Sequence, residues 1–584
     1  MNFRTFGQAA AIAAITLAGF TTNAMAFNIG KNVEGYWFES GVNANRGWGF
    51  QYLPTGPEEG IFFVAGFVYD DQGNATWVTG QAPVFDGEYE VDMPLLAWEG
   101  GSFGPDEGEP VSSDFGNLNV VFNSCSSAEF TFSGTENFSQ DFDRFQTLQG
   151  STDPARCVYQ KEFTGCPAFA QDLGDRACGI GGEINQDVTL TNDTTWVMTA
   201  AVFVGGRTEL GDPVPENGPT LTIEPGTRIV GTKQGRTALV ISRGSKIVAD
   251  GLPWAPIVMT GENYESTGAL SADWGGLVIN GAAPINTCST PPCEAVGEGD
   301  SGAFGGDNPE DSSGVLRYVR VQFAGDKVTD VDELNGIAFQ GVGNGTVVDY
   351  VQVHRNADDG VEFFGGTVNV KHLVLTDNED DSVDWTMGYQ GKMQYVFVKQ
   401  IQDQTVDTDN GMEMDNLEQN NDATPRAQPR MANFTMIGKA GENGMLVRRG
   451  TGGNWSNSIF TGFGTCLDID SAATYAAAGT PENPSGVLSW NNTILDCNTN
   501  FVEGDEGGEP WTVASFFNSP AFSGNMEADP MFDGIFPPDN ASYLSGFPLD
   551  TAVYDDFFED VDYIGAFRSR ESAWIYGWTE FLDN

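Results

Sequence analysis

Basic residues are scarce in this sequence. Its 584 residues include 27 Lys and Arg against 82 Asp and Glu, a formal net charge of −55. A charge of this sign and size repels nucleic acids and anionic membrane surfaces, which are therefore not expected partners, and it attracts cations. Because 40% of the residues are hydrophobic and 12% are aromatic, the chain is not a disordered acidic tail.

Sequence motifs that would identify a particular cofactor or catalytic mechanism are also missing. The sequence has no Cys-x-x-Cys-His for covalent haem, and no G-x-S-x-G, Walker loop or dinucleotide fingerprint in a suitable context. It has two histidines, His354 and His372, too few nitrogen ligands for a zinc site. We interpret both as structural or exposed residues and do not expect them to stack on each other.

Long apolar runs are confined to the N-terminus. The first 26 residues resemble a signal peptide, with Arg4 before the apolar run AAAIAAITLAGF and an Ala24-Met25-Ala26 cleavage site. We predict cleavage after Ala26, no lipid anchor, and a mature chain that begins at Phe27 with a formal charge of −56. No later stretch reaches about 18 apolar residues, so no transmembrane span is predicted. The expected location is secreted, or the outer surface of a bacterial cell.

The eight cysteines fit an oxidising compartment and predict disulfides throughout. Cys288 and Cys293 flank a short STPP loop, Cys166 and Cys178 flank a linker segment, and Cys466 and Cys497 fall on adjacent coils of the repeat described below. Cys125 and Cys157 are then paired by elimination.

Residues 27–150 contain aromatic strands separated by Gly, Asn and Asp turns, and predict an antiparallel sheet or small barrel. Core packing is expected for Trp37, Trp48 and Trp77, with sugar stacking as the alternative. The pattern resembles a domain common in exported proteobacterial proteins, a resemblance that implies a fold and no activity. The matching residues are Gly35, Trp37, Tyr69, Asp70, Gly73, Trp77, Gly116, Leu118, Phe122, Cys125 and Arg144.

Residues 151–187 form a Cys-rich connector. After it the sequence pattern changes to short Val/Ile-rich runs, each bounded by Gly or Asn. Repeats start at Gly345, Gly366 and Gly391, with spacings of 21 and 25 residues, which fits a parallel β-helix over residues 188–500. Residues 501–584 are expected to form the last coils and a cap that includes AWIYGWTEF.

The segment from residue 188 onwards also resembles a family of exported bacterial right-handed parallel β-helix proteins, mostly uncharacterised. The likeness includes GTRIVG, ADWGGLVING, NADDGVEFFGGTVNVKHLVLT and YIGAFRSRESAWIYGWTEFL. It implies a pectate-lyase-like solenoid, but neither a substrate nor catalytic residues. The predicted fold class is all-β, an antiparallel domain followed by this solenoid.

Aligned coils place acidic residues in columns. The segments NGIAFQ, DGVEFF, DSVDWT, NGMEMDN and NGMLVRR begin at Asn335, Asp359, Asp381, Asn410 and Asn443. Their first residues predict a ladder of Asx side chains bonded to the turn backbone. Since alternate strand residues face opposite sides, one outward column is predicted to be Ala338, Glu362, Asp384, Glu413 and Leu446, and the next Gln340, Phe364, Thr386, Asp415 and Arg448.

Three interpretations of the acidic columns remain open. The first is a solvated acidic face. The second is a Ca²⁺ site that uses the turn residues Asp358, Asp359, Asp380 and Asp381, since hard cations bind clustered carboxylates. The Gly/Asp/Ser-rich loop 297–314 is a candidate second cation site.

The third interpretation is a polysaccharide-cleaving site, in which paired carboxyl groups act as acid and base. The candidate catalytic residues are Glu362, Asp384, Glu413, Asp415 and Arg448. A Ca²⁺-assisted lyase would need a basic side chain, for which Arg448, Arg449 and Lys392 are candidates.

The sequence therefore favours a surface or secreted protein that binds an extracellular polymer, for which a polysaccharide is the leading candidate, and the Ca²⁺ site would make this binding dependent on calcium. The alternatives are a polysaccharide lyase or glycoside hydrolase acting on the same face, and an adhesin or structural surface protein. The sequence leaves the choice between binding and catalysis open.

Overall fold

A computed structural model describes Val33 and residues 35–39, 47–56, 59–69, 75–85, 90–99, 111–122, 127–134, 137–144, 163–253, 255–264, 270–326, 334–403, 406, 408–504, 509–538, 541–549, 554–570 and 572–582. The chain divides into two compact units, Met1–Thr152 and Asp153–Asn584. The predicted signal peptide and the predicted Cys125–Cys157 pair lie outside the described residues.

The N-terminal unit is an antiparallel barrel. Each strand pairs with the next, and the first also pairs with the last, so that the sheet closes. Trp37 and Trp48 are 0% and 1% exposed and lie in the core, which confirms core packing for these two, whereas Trp77 is 46% exposed. The strands are Gly35–Glu39, Gly47–Gly56, Glu59–Tyr69, Ala75–Phe85, Glu90–Glu99, Val111–Phe122, Ser127–Gly134 and Asn137–Arg144.

The second unit is a parallel β-helix, as predicted, and its coils contribute strands to three parallel sheets, here called sheets 1, 2 and 3. Ala177–Ile184 and Thr195–Val204 run from sheet 3 into sheet 1. The parallel pairing thus begins within the segment that the sequence assigns to the connector. The other strands of sheet 1 are Leu239–Ile241, Leu277–Asn280, Ile337–Gln340, Val361–Phe364, Val383–Thr386, Met412–Met414, Asn443–Val447, Thr465–Ile469 and Thr499–Glu503.

Sheets 2 and 3 share long strands that bend at one residue with left-handed backbone, such as Tyr350 (φ 55°) and His372 (φ 48°). The other strands of these sheets are shorter and lie on one side of the bend. The strands are Val188–Leu190, Thr220–Ile223, Arg228–Gly231, Lys246–Asp250, Ile257–Gly261, Gly314–Gln322, Val347–His354, Asn369–Thr376, Lys392–Lys399, Arg430–Ile437, Gly453–Ser456, Ile459–Thr461, Leu488–Asn491, Ile494–Asp496 and Met526–Glu527.

Short elements complete the described chain. Gln171–Gly174 pairs antiparallel with the first coil, and two small hairpins and two short α-helices leave the coil stack. The hairpin strands are Ala295–Val296, Ala303–Phe304, Gly479–Thr480 and Asn483–Pro484, and the α-helices are Ala472–Ala478 and Val513–Phe517. Lys233–Gly235, Glu298–Asp300 and Ser542–Leu544 are 3-10 helices.

The two histidines have structural environments and do not stack on each other. His372 lies at a bend, with its ring 4.1 Å from that of Tyr350 and its Nδ1 2.8 Å from Asp349 Oδ1. His354 is buried, with Nδ1 2.8 Å from Thr376 Oγ1. Burial lowers the pKa of His354 to about 3, so this ring is neutral in the folded protein.

The C-terminal aromatic segment does not cap the open end of the solenoid, contrary to the sequence prediction. Trp578 is 1% exposed and packs edge-on against Tyr318 and Tyr350 at the bends between sheets 2 and 3. The last coils are instead covered by the helix Val513–Phe517, whose Phe516 contacts Trp490. The segment 554–582 therefore runs along the side of the coil stack.

Three predicted disulfides are present in the second unit. Cys166–Cys178, Cys288–Cys293 and Cys466–Cys497 each have a Cα–Cα distance of 5.5 Å. Among the described residues, no helix is long and apolar enough to cross a membrane.

Candidate functional site: an acidic row on sheet 1

The turn residues that precede the sheet 1 strands form a ladder between coils. The Asp381 backbone N–H donates to Asp359 Oδ1 at 3.1 Å, and the Asn410 N–H donates to Asp381 Oδ1 at 2.7 Å. Asn443 Nδ2 donates to Asn410 Oδ1 at 3.0 Å. The predicted Asx ladder exists, but these hydrogen bonds join successive coils. Two of them bond an Asx side chain to turn backbone, as predicted, and the backbone belongs to the next coil.

The glycine after Asp359 is required by close approach of the next coil. A Cβ atom on Gly360 would lie 2.4 Å from Asn378 Nδ2 and 2.7 Å from the Ser382 carbonyl oxygen. The Asp-Gly sequence at positions 359–360 thus reflects both the ladder and this packing.

The predicted register of the acidic column is correct. Val361, Val383 and Met412, which precede the acids, are fully buried in the interior. Consecutive partners along the outer column are Ala338, Glu362, Asp384, Glu413 and Leu446. Strand spacing separates these positions by about 4.8 Å per coil.

This column changes from apolar to acidic at Glu362. Its earlier members Val278 and Ala338 belong to an apolar cluster with Ile285 and Phe304, which come from an excursion between coils. The run of three successive acids begins where this apolar cover ends, and Leu446 interrupts it on the other side.

The acidic residues are not a solvated face. Asp359, Glu362, Asp381 and Asp415 are 6%, 8%, 4% and 4% exposed. The sequence interpretation of a plain solvated face is therefore wrong, since a carboxylate loses most of its hydration at such burial and needs a partner or a proton.

Four overlapping groups of three acids have carboxyl oxygens within 4.8 Å of one another. We call Asp359, Glu362, Asp381, Asp384 and Glu413 the acidic row. Two of the four groups consist only of residues of this row. The other two groups lie towards the turns and include Asp358 and Asp380, which the sequence predicted as metal ligands. The groups are Asp359–Glu362–Asp384, Asp381–Asp384–Glu413, Asp358–Asp359–Asp380 and Asp380–Asp381–Asp409.

Burial and mutual repulsion make the row hard to ionise. Burial, followed by the charges of neighbouring carboxylates, raises the pKa of Asp359, Glu362, Asp381 and Asp384 well above the ordinary range. Burial also raises the pKa of Glu413 to about 7, although Arg448 opposes the shift. The row therefore needs protons or cations to neutralise it.

Two arginines hold one end of the row. Arg448 contacts Glu413 through Nη2 and donates from Nε to Asp415 Oδ1 at 3.0 Å. Arg449 donates from Nη1 to Asp415 Oδ2 at 2.6 Å and from Nη2 to Glu418 Oε1 at 3.2 Å. Burial disfavours the Arg448 cation, but Glu413 and Asp415 outweigh this and raise its pKa, so Arg448 stays charged.

Two acceptor atoms in or beside the row lack a hydrogen-bond partner. Asp384 Oδ1 is buried and unpartnered. Asn335 is fully buried, and its Nδ2 donates to Glu362 Oε2 at 2.8 Å and to Glu298 Oε2 at 2.9 Å, while its Oδ1 is unpartnered. Buried acceptors without donors are uncommon in native proteins.

The structure places the other sequence candidates elsewhere. Lys392 belongs to a strand of sheets 2 and 3, where it pairs with Asp555 at 2.6 Å, so it is not a base for chemistry at sheet 1. No acidic group of the kind described above occurs in the described loop 297–314, and its proposed second cation site has no support. Glu298 from this loop does approach the row, through Asn335, which sequence reasoning missed.

Comparisons with known proteins identify the second unit. Residues 182–519, more than half of the chain, match the family model described as a pectate-lyase-like β-helix domain. No curated protein matches the chain. A solved structure, the catalytic unit of a thermostable GH87 α-1,3-glucanase from Streptomyces thermodiastaticus strain HF3-3, aligns over 86% of this chain and 88% of that chain, with 9% identity and a TM-score of 0.24. A likeness this low carries no functional argument.

Proposed function

The chain belongs to the family of pectate-lyase-like β-helix domains, and from this premise we propose that it binds an extracellular polysaccharide along the acidic row. The observation that carries the proposal is the repetition of the acids. Glu362, Asp384 and Glu413 occupy the same strand position on three successive coils, on a column that is otherwise mostly apolar. A polymer of similar units can bond to such a repeat with successive residues.

The chemistry of the row suits sugar hydroxyl groups. A hydroxyl can donate to a carboxylate and accept from a protonated carboxyl group, so both protonation states of the row can bind it. The arginines at the end of the row, Arg448 and Arg449, are already bound by carboxylates. Together with the net charge of −55, this favours an uncharged polysaccharide over an anionic one.

A glycan array with the purified mature chain tests this function. We expect retention of neutral polysaccharides, and a Kd at least tenfold weaker for Asp384→Asn with the best of these ligands. Glu216→Gln, a change at an exposed acid outside the row, is the control and should bind like the wild type. Absence of binding to any glycan, or equal binding by Asp384→Asn, would reject the proposal and favour a structural surface protein.

A second candidate is hydrolysis of the bound polymer, and one observation favours it. With a pKa raised to about 7, Glu413 keeps a proton at neutral pH often enough to act as a general acid. Asp415 would then be the second carboxylate of the pair, with Asp384 and Glu362 lining the site. β-Elimination is less suitable, because the raised pKa of Arg448 makes it a poor base.

The products distinguish these possibilities. Hydrolysis releases new reducing ends, and Glu413→Gln should abolish the release while weakening binding no more than Asp384→Asn does. Unsaturated products would indicate a lyase instead. Retention without either product leaves binding as the function of the row.

A further inference from the structure

The outer face of the N-terminal barrel carries a pair of tryptophans. Trp77 lies on the fourth strand and Trp98 on the fifth, and the two residues are directly opposite each other in the antiparallel pairing. Their neighbours Val78 and Ala97 are buried in the core, so both indoles point outward. Trp77 is 46% exposed and Trp98 is half-buried. The barrel therefore presents two large aromatic rings side by side on its surface, a feature typical of interaction sites.

A hydrogen bond orients one of the two rings. Trp98 Nε1 donates to Thr79 Oγ1 at 2.7 Å. Thr79 lies on the fourth strand, two residues from Trp77, and is paired with Leu96. The indole of Trp98 therefore leans across to the fourth strand and is held there before any ligand binds. Such fixation lowers the entropic cost of binding.

The fifth strand carries polar side chains at its other end. Glu90 and Asp92 point to the same outer side as Trp98, since the residues between them alternate with buried ones. On the sixth strand, Asn119 Nδ2 donates to Glu90 Oε1 at 2.8 Å and to Asp92 Oδ1 at 3.1 Å. Asn117 Nδ2 also donates to Asp92 Oδ1, at 3.2 Å. At the usual rise per residue, Asp92 and Trp98 are about 20 Å apart, room for several sugar rings in series.

The combination of aromatic rings with exposed amide and carboxylate groups suits a neutral sugar polymer. The C–H groups of a pyranose ring pack on an indole face, and its hydroxyl groups bond to amide and carboxylate atoms. Among the described strands of the barrel, Arg144 is the one basic residue, so these strands offer little to an anionic polymer. A second copy of this chain has the same net charge of −55 and would be repelled.

We propose that Trp77, Trp98, Glu90, Asp92 and Asn119 form a second binding surface for a neutral polysaccharide, here called the barrel surface. The two indoles stack on sugar rings, and the acids and the amide bond to hydroxyl groups further along the polymer. The barrel surface belongs to a different unit from the acidic row, and its existence does not depend on the function proposed for that row.

Binding of the full mature chain to insoluble glycans tests this surface. The probes are microcrystalline cellulose, chitin and insoluble β-1,3-glucan, and depletion of the protein from solution measures binding. The changes are made in the Asp384→Asn variant, in which the acidic row is impaired. On the probe that retains this variant best, adding Trp77→Ala or Trp98→Ala should weaken binding about tenfold or more. Leu53→Ala is the matched control, since Leu53 is 45% exposed and lies on the second strand, and it should change binding little.

Circular dichroism verifies that each variant is folded, and Asp92→Ala, which should also weaken binding, tests the polar end of the surface independently. The proposal is overturned if no probe retains the Asp384→Asn variant, or if both tryptophan changes leave its binding unchanged. It is also overturned if sedimentation equilibrium shows a dimer that Trp77→Ala converts to a monomer, because the surface would then contact a second copy. Comparison of the wild type with Asp384→Asn alone tests the acidic row, so either site can fail without the other.

Discussion

Asn410 donates both its backbone N–H and its side-chain Nδ2 to Oδ1 of Asp381, at 2.7 and 2.9 Å. This pair joins two coils next to the acidic row, and Asn410 is 1% exposed. We expect Asn410→Ala to lower the free energy of unfolding by about 1–3 kcal/mol, the usual effect of leaving a buried partner unsatisfied. Urea denaturation measures the change, and Asn217→Ala at an exposed loop position should change stability little. Equal effects of the two changes would contradict a structural role for the ladder.

The two faces of the strand Val383–Thr386 should respond oppositely to substitution. Val383 is fully buried in the interior, so Val383→Asp should cost several kcal/mol or prevent folding, because an unpaired charge would enter an apolar core. In chelator, Asp384→Asn should keep or slightly increase stability, since it removes one of several repelling carboxylates. Melting temperatures of the two variants measure this. A collapse of Asp384→Asn in chelator would mean that this carboxylate is needed for the fold itself.

The register behind that prediction follows from the sequence. Alternation fixes which residues point inward, and the Asx-small-apolar pattern aligns the coils, so the column of Glu362, Asp384 and Glu413 could be predicted. Its burial could not, because Asn335 joins Glu362 to Glu298 of a loop whose path the local pattern does not encode.

Two further features of the structure also differ from the sequence prediction. Asp409 was missed although it precedes Asn410 as Asp358 precedes Asp359, a signal that the alignment contained. The position of Trp578 along the side of the stack depends on contacts with residues more than two hundred positions earlier, and a predicted end cap cannot distinguish these surfaces.

The pH dependence of stability should show the raised pKa of Glu413. Because the folded-state value of about 7 exceeds the ordinary value of 4.5, the folded protein holds this proton to higher pH than the unfolded chain. The resulting stabilisation is complete below about pH 4.5 and is lost as pH rises through 7. In chelator, the melting temperature of the wild type relative to Glu413→Gln should therefore fall over this range. The lowered pKa of His354 makes the folded protein more stable as pH rises, but His354 is present in both proteins and cancels from the comparison. A difference in melting temperature between the two proteins that does not change with pH would contradict the raised pKa of Glu413.

The C-terminal segment should contribute substantially to stability. Trp578 is 1% exposed and packs against Tyr318 and Tyr350, so Trp578→Ala should lower the free energy of unfolding by about 3–5 kcal/mol. Tyr576 is 52% exposed, and Tyr576→Ala is the matched control with little expected effect. Chemical denaturation compares the two. Similar values for both variants would mean that the segment is not firmly packed on the stack.

The claim that the acidic row is a ligand site is tested most directly by a crystal structure of the protein soaked with an oligosaccharide of the glycan that the array retains. The account predicts that sugar hydroxyl groups contact Glu362, Asp384 and Glu413 on successive coils. A sugar bound elsewhere on the chain, with none at the row, would contradict it.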